Sequence, residues 1–199
     1  MFYHDDAGTC ISIATALYDA GIRCIEVTNR GPKALDNFRI LNQVRHELMT
    51  DLVLAAGTIT TGTEAMKFVD SGADILISPV FEGAVASVAT KRERLWIPGC
   101  MTPTEIHVAL RAGCDLIKLF PGNVLGPHFL KAVLPLFSGI DFLATGGVEP
   151  TKENISSWFR AGAIGVSIGS NLITTDIVLD GKYDLLRNNT ASLLDLIKT

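Results

Sequence analysis

A small (β/α)8 barrel is the fold this sequence predicts, and three features carry the prediction. The first is a repeat. Asp19-Ala20-Gly21-Ile22-Arg23-Cys24-Ile25-Glu26-Val27 has the same layout as Asp70-Ser71-Gly72-Ala73-Asp74-Ile75-Leu76-Ile77-Ser78. Arg111-Ala112-Gly113-Cys114-Asp115-Leu116-Ile117-Lys118-Leu119 and Arg160-Ala161-Gly162-Ala163-Ile164-Gly165-Val166-Ser167-Ile168 follow it too. In each, a helix ends, a glycine supplies a left-handed cap, and a short β-rich run follows. Each interval between them holds about two βα units. Second, strand-like and helix-like stretches alternate, which predicts a parallel sheet covered by helices. Third, eight such units fit within 199 residues. The rival is an open doubly wound sheet, but no G-x-G-x-x-G follows the first strand.

Taken in order, strands are expected at 2–4, 24–28, 52–56, 75–78, 95–98, 116–120, 142–145 and 165–168. A helix over 7–20 places Ile11, Ala14, Leu17 and Tyr18 on one face, and one over 33–48 places Phe38, Leu41, Val44 and Leu48. Thr102-Pro103-Thr104-Glu105 is a helix start: a capping threonine, a proline in the first turn, and a glutamate at capping-box distance. Pro150-Thr151-Lys152-Glu153 opens another helix, a further one is expected from Asn171, and an amphipathic helix over 185–197 closes the chain. No linker or low-complexity segment interrupts the pattern, so residues 1–199 are expected to form one barrel domain. Met1 lies immediately before the first strand, so the N-terminal segment is short and an upstream helix that would plug the barrel floor is expected to be missing.

Composition narrows the function. Apolar residues make up 48% and charged residues 19%, a globular profile. A net charge of −4 gives no reason to expect nucleic acid or an anionic membrane as partner. No apolar run approaches the roughly 18 residues of a membrane span. The opening residues carry neither a basic region nor an apolar stretch, so a signal peptide is not expected. Cys10, Cys24, Cys100 and Cys114 lack C-x-x-C spacing and read as reduced core or near-core thiols of a cytoplasmic protein. His4, His46, His107 and His128 are scattered, so no metal site is expected.

The chemistry centres on Asp115-Leu116-Ile117-Lys118-Leu119-Phe120-Pro121-Gly122. Here a lysine stands inside a buried strand. Along it Leu116, Lys118 and Phe120 share one face. A desolvated ammonium needs a partner, or its pKa falls and it becomes a usable nucleophile. A buried salt bridge is the plain alternative. On the second strand Cys24, Glu26 and Thr28 point one way. Glu26 and Lys118 come from the second and sixth strands, and alternate strands fill the same interior layers. The two are therefore expected to face each other across the barrel.

Other strands end in polar or turn-forming groups. Arg30 offers a planar fork for a carboxylate, against a surface ion pair as the plain reading. Gly57-Thr58 allows close backbone approach beside a hydroxyl. Ser78-Pro79 and Pro98-Gly99 follow, each explicable as turn chemistry. Phe120 extends the Lys118 face. The last two strands end Thr145-Gly146-Gly147 and Ile168-Gly169-Ser170, where backbone N–H groups favour an anion and many barrels bind phosphate.

In order and spacing, Ile25-Glu26-Val27-Thr28-Asn29-Arg30, Gly57-Thr58, Ser78-Pro79, Pro98-Gly99, Lys118-Leu119-Phe120-Pro121-Gly122, Thr145-Gly146-Gly147 and Gly169-Ser170 resemble the 2-keto-3-deoxy-6-phosphogluconate (KDPG) and 4-hydroxy-2-oxoglutarate (KHG) aldolases, a class I, Schiff-base family. The resemblance covers nearly the whole chain. It implies a homotrimer without metal or cofactor that cleaves a 4-hydroxy-2-oxoacid to pyruvate and an aldehyde. It makes Lys118 the imine-forming lysine, Glu26 the acid/base group, and Arg30 and Thr58 the carboxylate site. Pro79 and Phe120 line the pocket for the pyruvate methyl. It makes Gly146, Gly147, Gly169 and Ser170 the phosphate loops, with Thr145 a further substrate-binding residue. Three positions depart from the pattern: Asn29 and Gly31 replace residues that are usually apolar and hydroxylic, and Leu119 stands where an aromatic is common. Two rival functions stay open at this point: a sugar-phosphate epimerase or isomerase barrel, and a catalytically silent barrel that binds an oxoacid or serves as a scaffold.

Overall fold

A computed structural model describes residues 1–197. The parallel strands β1 (Cys24–Thr28), β2 (Val53–Gly57), β3 (Ile75–Ile77) and β4 (Leu95–Ile97) form one sheet. β5 (Gly99–Cys100), β6 (Leu116–Leu119), β7 (Asp141–Thr145) and β8 (Gly165–Ser167) form the other. Only Pro98 separates β4 from β5. Proline has no N–H to give a ladder, so the single strand expected over 95–98 appears as two short ones. The Pro98 carbonyl still accepts from the Lys118 amide at 2.9 Å, which carries the sheet across the break.

The remaining gap is closed by the first residues. Phe2 bridges Val27 in parallel, its amide donating to Glu26 at 3.0 Å and its carbonyl accepting from Thr28 at 2.9 Å. The Met1 nitrogen donates to the Ile168 carbonyl at 2.8 Å. The chain is thus a closed α/β barrel. The strand expected over 2–4 is reduced to this one bridge. The Asn37 amide takes the His4 and Asp5 carbonyls, both at 2.9 Å, and pulls the backbone off the sheet.

Helices wrap the outside. α1 (Ala7–Asp19), α2 (Ala34–Leu48), α3 (Gly62–Asp70), α4 (Gly83–Lys91), α5 (Pro103–Arg111), α6 (Gly122–Val133) and α7 (Lys152–Ala161) connect successive strands. α8 (Thr175–Leu179) and α9 (Tyr183–Ile197) follow β8, and α9 packs back on α1. The helix expected from Asn171 begins instead at Thr175. Gly169 is the reason: its carbonyl accepts from both the Leu172 and Ile173 amides, so a tight turn comes first. The repeat's glycines, Gly21, Gly72, Gly113 and Gly162, all hold the positive φ that a left-handed cap requires. Thr102 and Glu105 form the expected capping box, and Thr61 and Glu64 form a second.

The main core lies between helices and strands, with Phe38 and Phe68 in edge contact at 5.2 Å. A separate cluster of Ala55, Ile77 and Ile97, with Ile75 and Leu116 against it, comes from the other face of the strands. By alternation that face is the barrel interior, and these side chains fill it beneath the site. Cys10, Cys100 and Cys114 are buried free thiols, whereas Cys24, at the start of β1, is exposed. Among the described residues, no helix is long and apolar enough to cross a membrane.

Candidate functional site

Two strands deliver the central pair. β1 turns Glu26 inward, and β6 turns Lys118 inward to meet it. Lys118 Nζ lies 3.8 Å from Glu26 Oε1, and both side chains are nearly inaccessible, at 4% and 6%. That is an ion-pair distance but too long for a hydrogen bond. Burial lowers the Lys118 pKa, the Glu26 charge works the other way, and Arg30 lowers it further. The Phe120 ring stands above, its centroid 5.2 Å from Nζ.

The pair is not self-sufficient. Among the described residues, buried Glu26 Oε1 and Thr145 Oγ1 have no hydrogen-bond partner. Buried polar atoms are nearly always satisfied, and the exceptions mark places where something else binds. Register sets Lys118 beside Leu143, so Thr145 enters the interior one step higher on the next strand. A donor and an acceptor are thus left open around a dry amine.

Glu26 owes its place to Gly57. A Cβ at Gly57 would overlap Glu26 Oε1, so only glycine leaves the carboxylate room over β2. Gly57→Ala should displace the end of a flexible side chain rather than the backbone. Activity is expected to fall at least tenfold while the melting temperature moves little; assay and thermal melt on one preparation check this.

The pH dependence of stability follows from Lys118. Its folded pKa lies below the ordinary lysine value of 10.5. Between those two values the folded chain binds fewer protons than the unfolded one, so stability rises with pH across that window. Below it the charged amine costs stability. Lys118→Met should flatten this rise, as read by chemical denaturation at a series of pH values.

Thr58 follows β2 with φ 59°, a conformation a β-branched residue avoids, and such strain gathers at functional sites. Pro79 follows β3, half-buried. Gly99 lets the chain approach so closely that a Cβ there would strike the Pro79 carbonyl. Beneath it, the Ser78 hydroxyl accepts from Trp96 Nε1 at 2.8 Å.

A cavity of about 580 Å³ opens where the first residues meet the last strand. Arg30, Phe120, Gly146, Gly147, Gly169 and Ser170 all line it, and no Asp or Glu does. Among the described residues Arg30 has no carboxylate partner, so its guanidinium is available to a ligand. Lys118, Glu26 and Thr145 are buried and do not line it, and Thr58 and Pro79 follow β2 and β3. The expected site residues therefore separate into a buried cluster and an open mouth. The sequence reading missed His4, which also lines the mouth. Its Nδ1 accepts from the Asp6 amide at 3.0 Å, so a neutral ring carries its proton on Nε2. Its position at the end of the first strand was the available signal.

A buried lysine paired with a glutamate inside a (β/α)8 barrel, with a nearby mouth free of acidic side chains, has the makings of an enzyme site. The family model for KDPG and KHG aldolase matches residues 2–188, and the chain belongs to that family; it is an aldolase, a lyase. It is 31% identical over 160 residues to the 2-dehydro-3-deoxy-6-phosphogalactonate aldolase of Escherichia coli K12, covering 79% of this chain and 75% of that one. It is 32% identical over 188 residues to the 2-dehydro-3-deoxy-phosphogluconate aldolase of Treponema pallidum, covering 94% and 87%. The fold matches a crystal structure of KDPG aldolase from Legionella pneumophila, in which pyruvate was captured as a covalent carbinolamine. The TM-score is 0.88 at 24% identity, over 97% of this chain and 91% of that one.

Proposed function

We propose that the protein is a class I aldolase that cleaves a 4-hydroxy-2-oxoacid to pyruvate and an aldehyde through an imine on Lys118. The observation that carries this is the dry amine 3.8 Å from Glu26, with the buried Glu26 Oε1 and Thr145 Oγ1 lacking hydrogen-bond partners. The lowered pKa makes the neutral amine accessible for attack on the C2 carbonyl. Loss of water gives an iminium. Glu26 takes the proton of the C4 hydroxyl as the C3–C4 bond breaks, and the bonding pair flows into the iminium to give an enamine. The aldehyde leaves, the enamine is protonated at C3, and hydrolysis releases pyruvate and the free amine. Arg30 and Thr58 hold the substrate carboxylate so that C2 stands within reach of Nζ. Pro79 and Phe120 wall the methyl end, and the Thr145 hydroxyl bonds to substrate oxygen. In this reading the whole chain acts as one catalytic domain, working as a homotrimer in the cytoplasm.

Among oxoacids, a 6-phosphorylated 2-keto-3-deoxy sugar acid fits better than 4-hydroxy-2-oxoglutarate. Cleavage of the gluconate form gives glyceraldehyde 3-phosphate; cleavage of 4-hydroxy-2-oxoglutarate gives glyoxylate. The support is a mouth of about 580 Å³ without acidic side chains, rimmed by Gly146, Gly147, Gly169 and Ser170. Backbone donors there suit a dianion. A coupled pyruvate assay with both substrates tests the reading, which predicts a higher kcat/KM for the phosphorylated one. Ser170→Asp places a negative charge at the mouth and should cut that preference by roughly tenfold. Equal loss on both substrates would show that the loops are turns only.

A further inference from the structure

We propose that Asn29 and Glu64 form a clasp that positions Arg30 and Thr58 at the spacing a substrate carboxylate requires. The inference rests on the reading of those two residues given above.

Asn29 Nδ2 donates to Glu64 Oε1 at 3.0 Å. The other oxygen, Oε2, accepts from the Thr60 and Thr61 amides at 2.9 and 3.0 Å and from the Thr60 hydroxyl at 3.1 Å. One carboxylate thus ties the turn after β1 to the turn after β2. Arg30 is the next residue along from Asn29, and Thr58 lies two residues before Thr60. The backbone joins in: the Asn29 amide donates to the Gly57 carbonyl at 2.8 Å, and the Arg30 amide to Thr28 at 2.9 Å. Thr58, at φ 59°, needs its surroundings to hold it.

A helix cap alone does not explain the arrangement. In the other capping box, Glu105 accepts from the Met101 and Thr102 amides and the Thr102 hydroxyl, all on its own loop. Glu64 repeats that pattern with one oxygen and reaches the neighbouring strand's loop with the other. Burial disfavours the Glu64 charge, but the hydrogen bonds from Thr60 and Thr61 outweigh it and keep its pKa below the usual value. Asn29 therefore meets an ionised acceptor, the stronger kind. Asn29 and Glu64 are positioning residues that act through Arg30 and Thr58.

The test is a polarity swap. Asn29→Asp sets carboxylate against carboxylate and should open the clasp, raising KM for the oxoacid roughly tenfold with kcat within about twofold. Adding Glu64→Gln should bring KM back to near the parent value. The new amide nitrogen then donates to the new carboxylate, while its oxygen still caps Thr60 and Thr61. The aspartate next to Arg30 remains in the double variant, so repulsion of the substrate by a charge at that position would not be rescued; Glu64→Gln alone controls for the change in net charge. Thermal melts accompany each variant. Unchanged KM in Asn29→Asp, or a joint fall in kcat and melting temperature without rescue, overturns the clasp. Arg30→Lys separates the two readings. If it raises KM and Asn29→Asp does not, only the clasp falls. If it leaves KM unchanged, Arg30 does not hold the carboxylate and the clasp falls with it.

Discussion

Lys118→Ala is expected to abolish aldol cleavage in a protein that still folds. Without an amine there is no imine and no electron sink for the C3–C4 bond, so residual turnover should sit at background. The barrel does not depend on this side chain, since β6 is held by its Ile117 and Leu119 face and by ladders to β5 and β7. Removing one member of a buried pair leaves Glu26 uncompensated, at a cost of about 3–5 kcal/mol. Lys118→Arg separates charge from chemistry. It keeps a cation beside Glu26, but a guanidinium does not give up its proton, so activity should be lost while Glu26 keeps its counter-charge. Retained activity in Lys118→Arg would remove Lys118 from the mechanism.

Glu26→Gln is expected to leave imine formation measurable while turnover drops by about 10²–10⁴-fold, the usual contribution of a positioned acid/base group. The amide keeps the shape above Gly57 and accepts no proton. Trapping and turnover should therefore part company, which a simple loss of packing would not produce. Near-parental turnover in Glu26→Gln would return the pair to the status of a buried salt bridge.

The central pair was legible before any coordinates because strand periodicity is strict. A period of two sets Lys118 with Leu116 and Phe120, and Glu26 with Cys24 and Thr28. The rule that alternate strands share interior layers then brings the two together. The glycine caps were legible for a similar reason, since a left-handed residue between helix and strand leaves little choice of side chain. What was not legible depends on side chains reaching between distant elements. Asn37 captures the His4 and Asp5 carbonyls and reduces the first strand to a bridge. Gly169 accepts two amides and delays the expected helix to Thr175. Asn29 read only as a departure from a resemblance, because its partner Glu64 lies in another βα unit. The vertical order of the site was also hidden: Arg30 lines the open mouth, whereas Thr145 is fully buried two residues beyond the β7 residue that pairs with Lys118.

The most direct test of the account is reductive trapping. The protein is incubated with pyruvate, treated with borohydride and mapped by peptide mass. The account predicts one irreversible pyruvyl adduct on the peptide that contains Lys118, absent from Lys118→Ala. An adduct on the exposed Lys91 or Lys131 instead, or none in the parent protein, would contradict it.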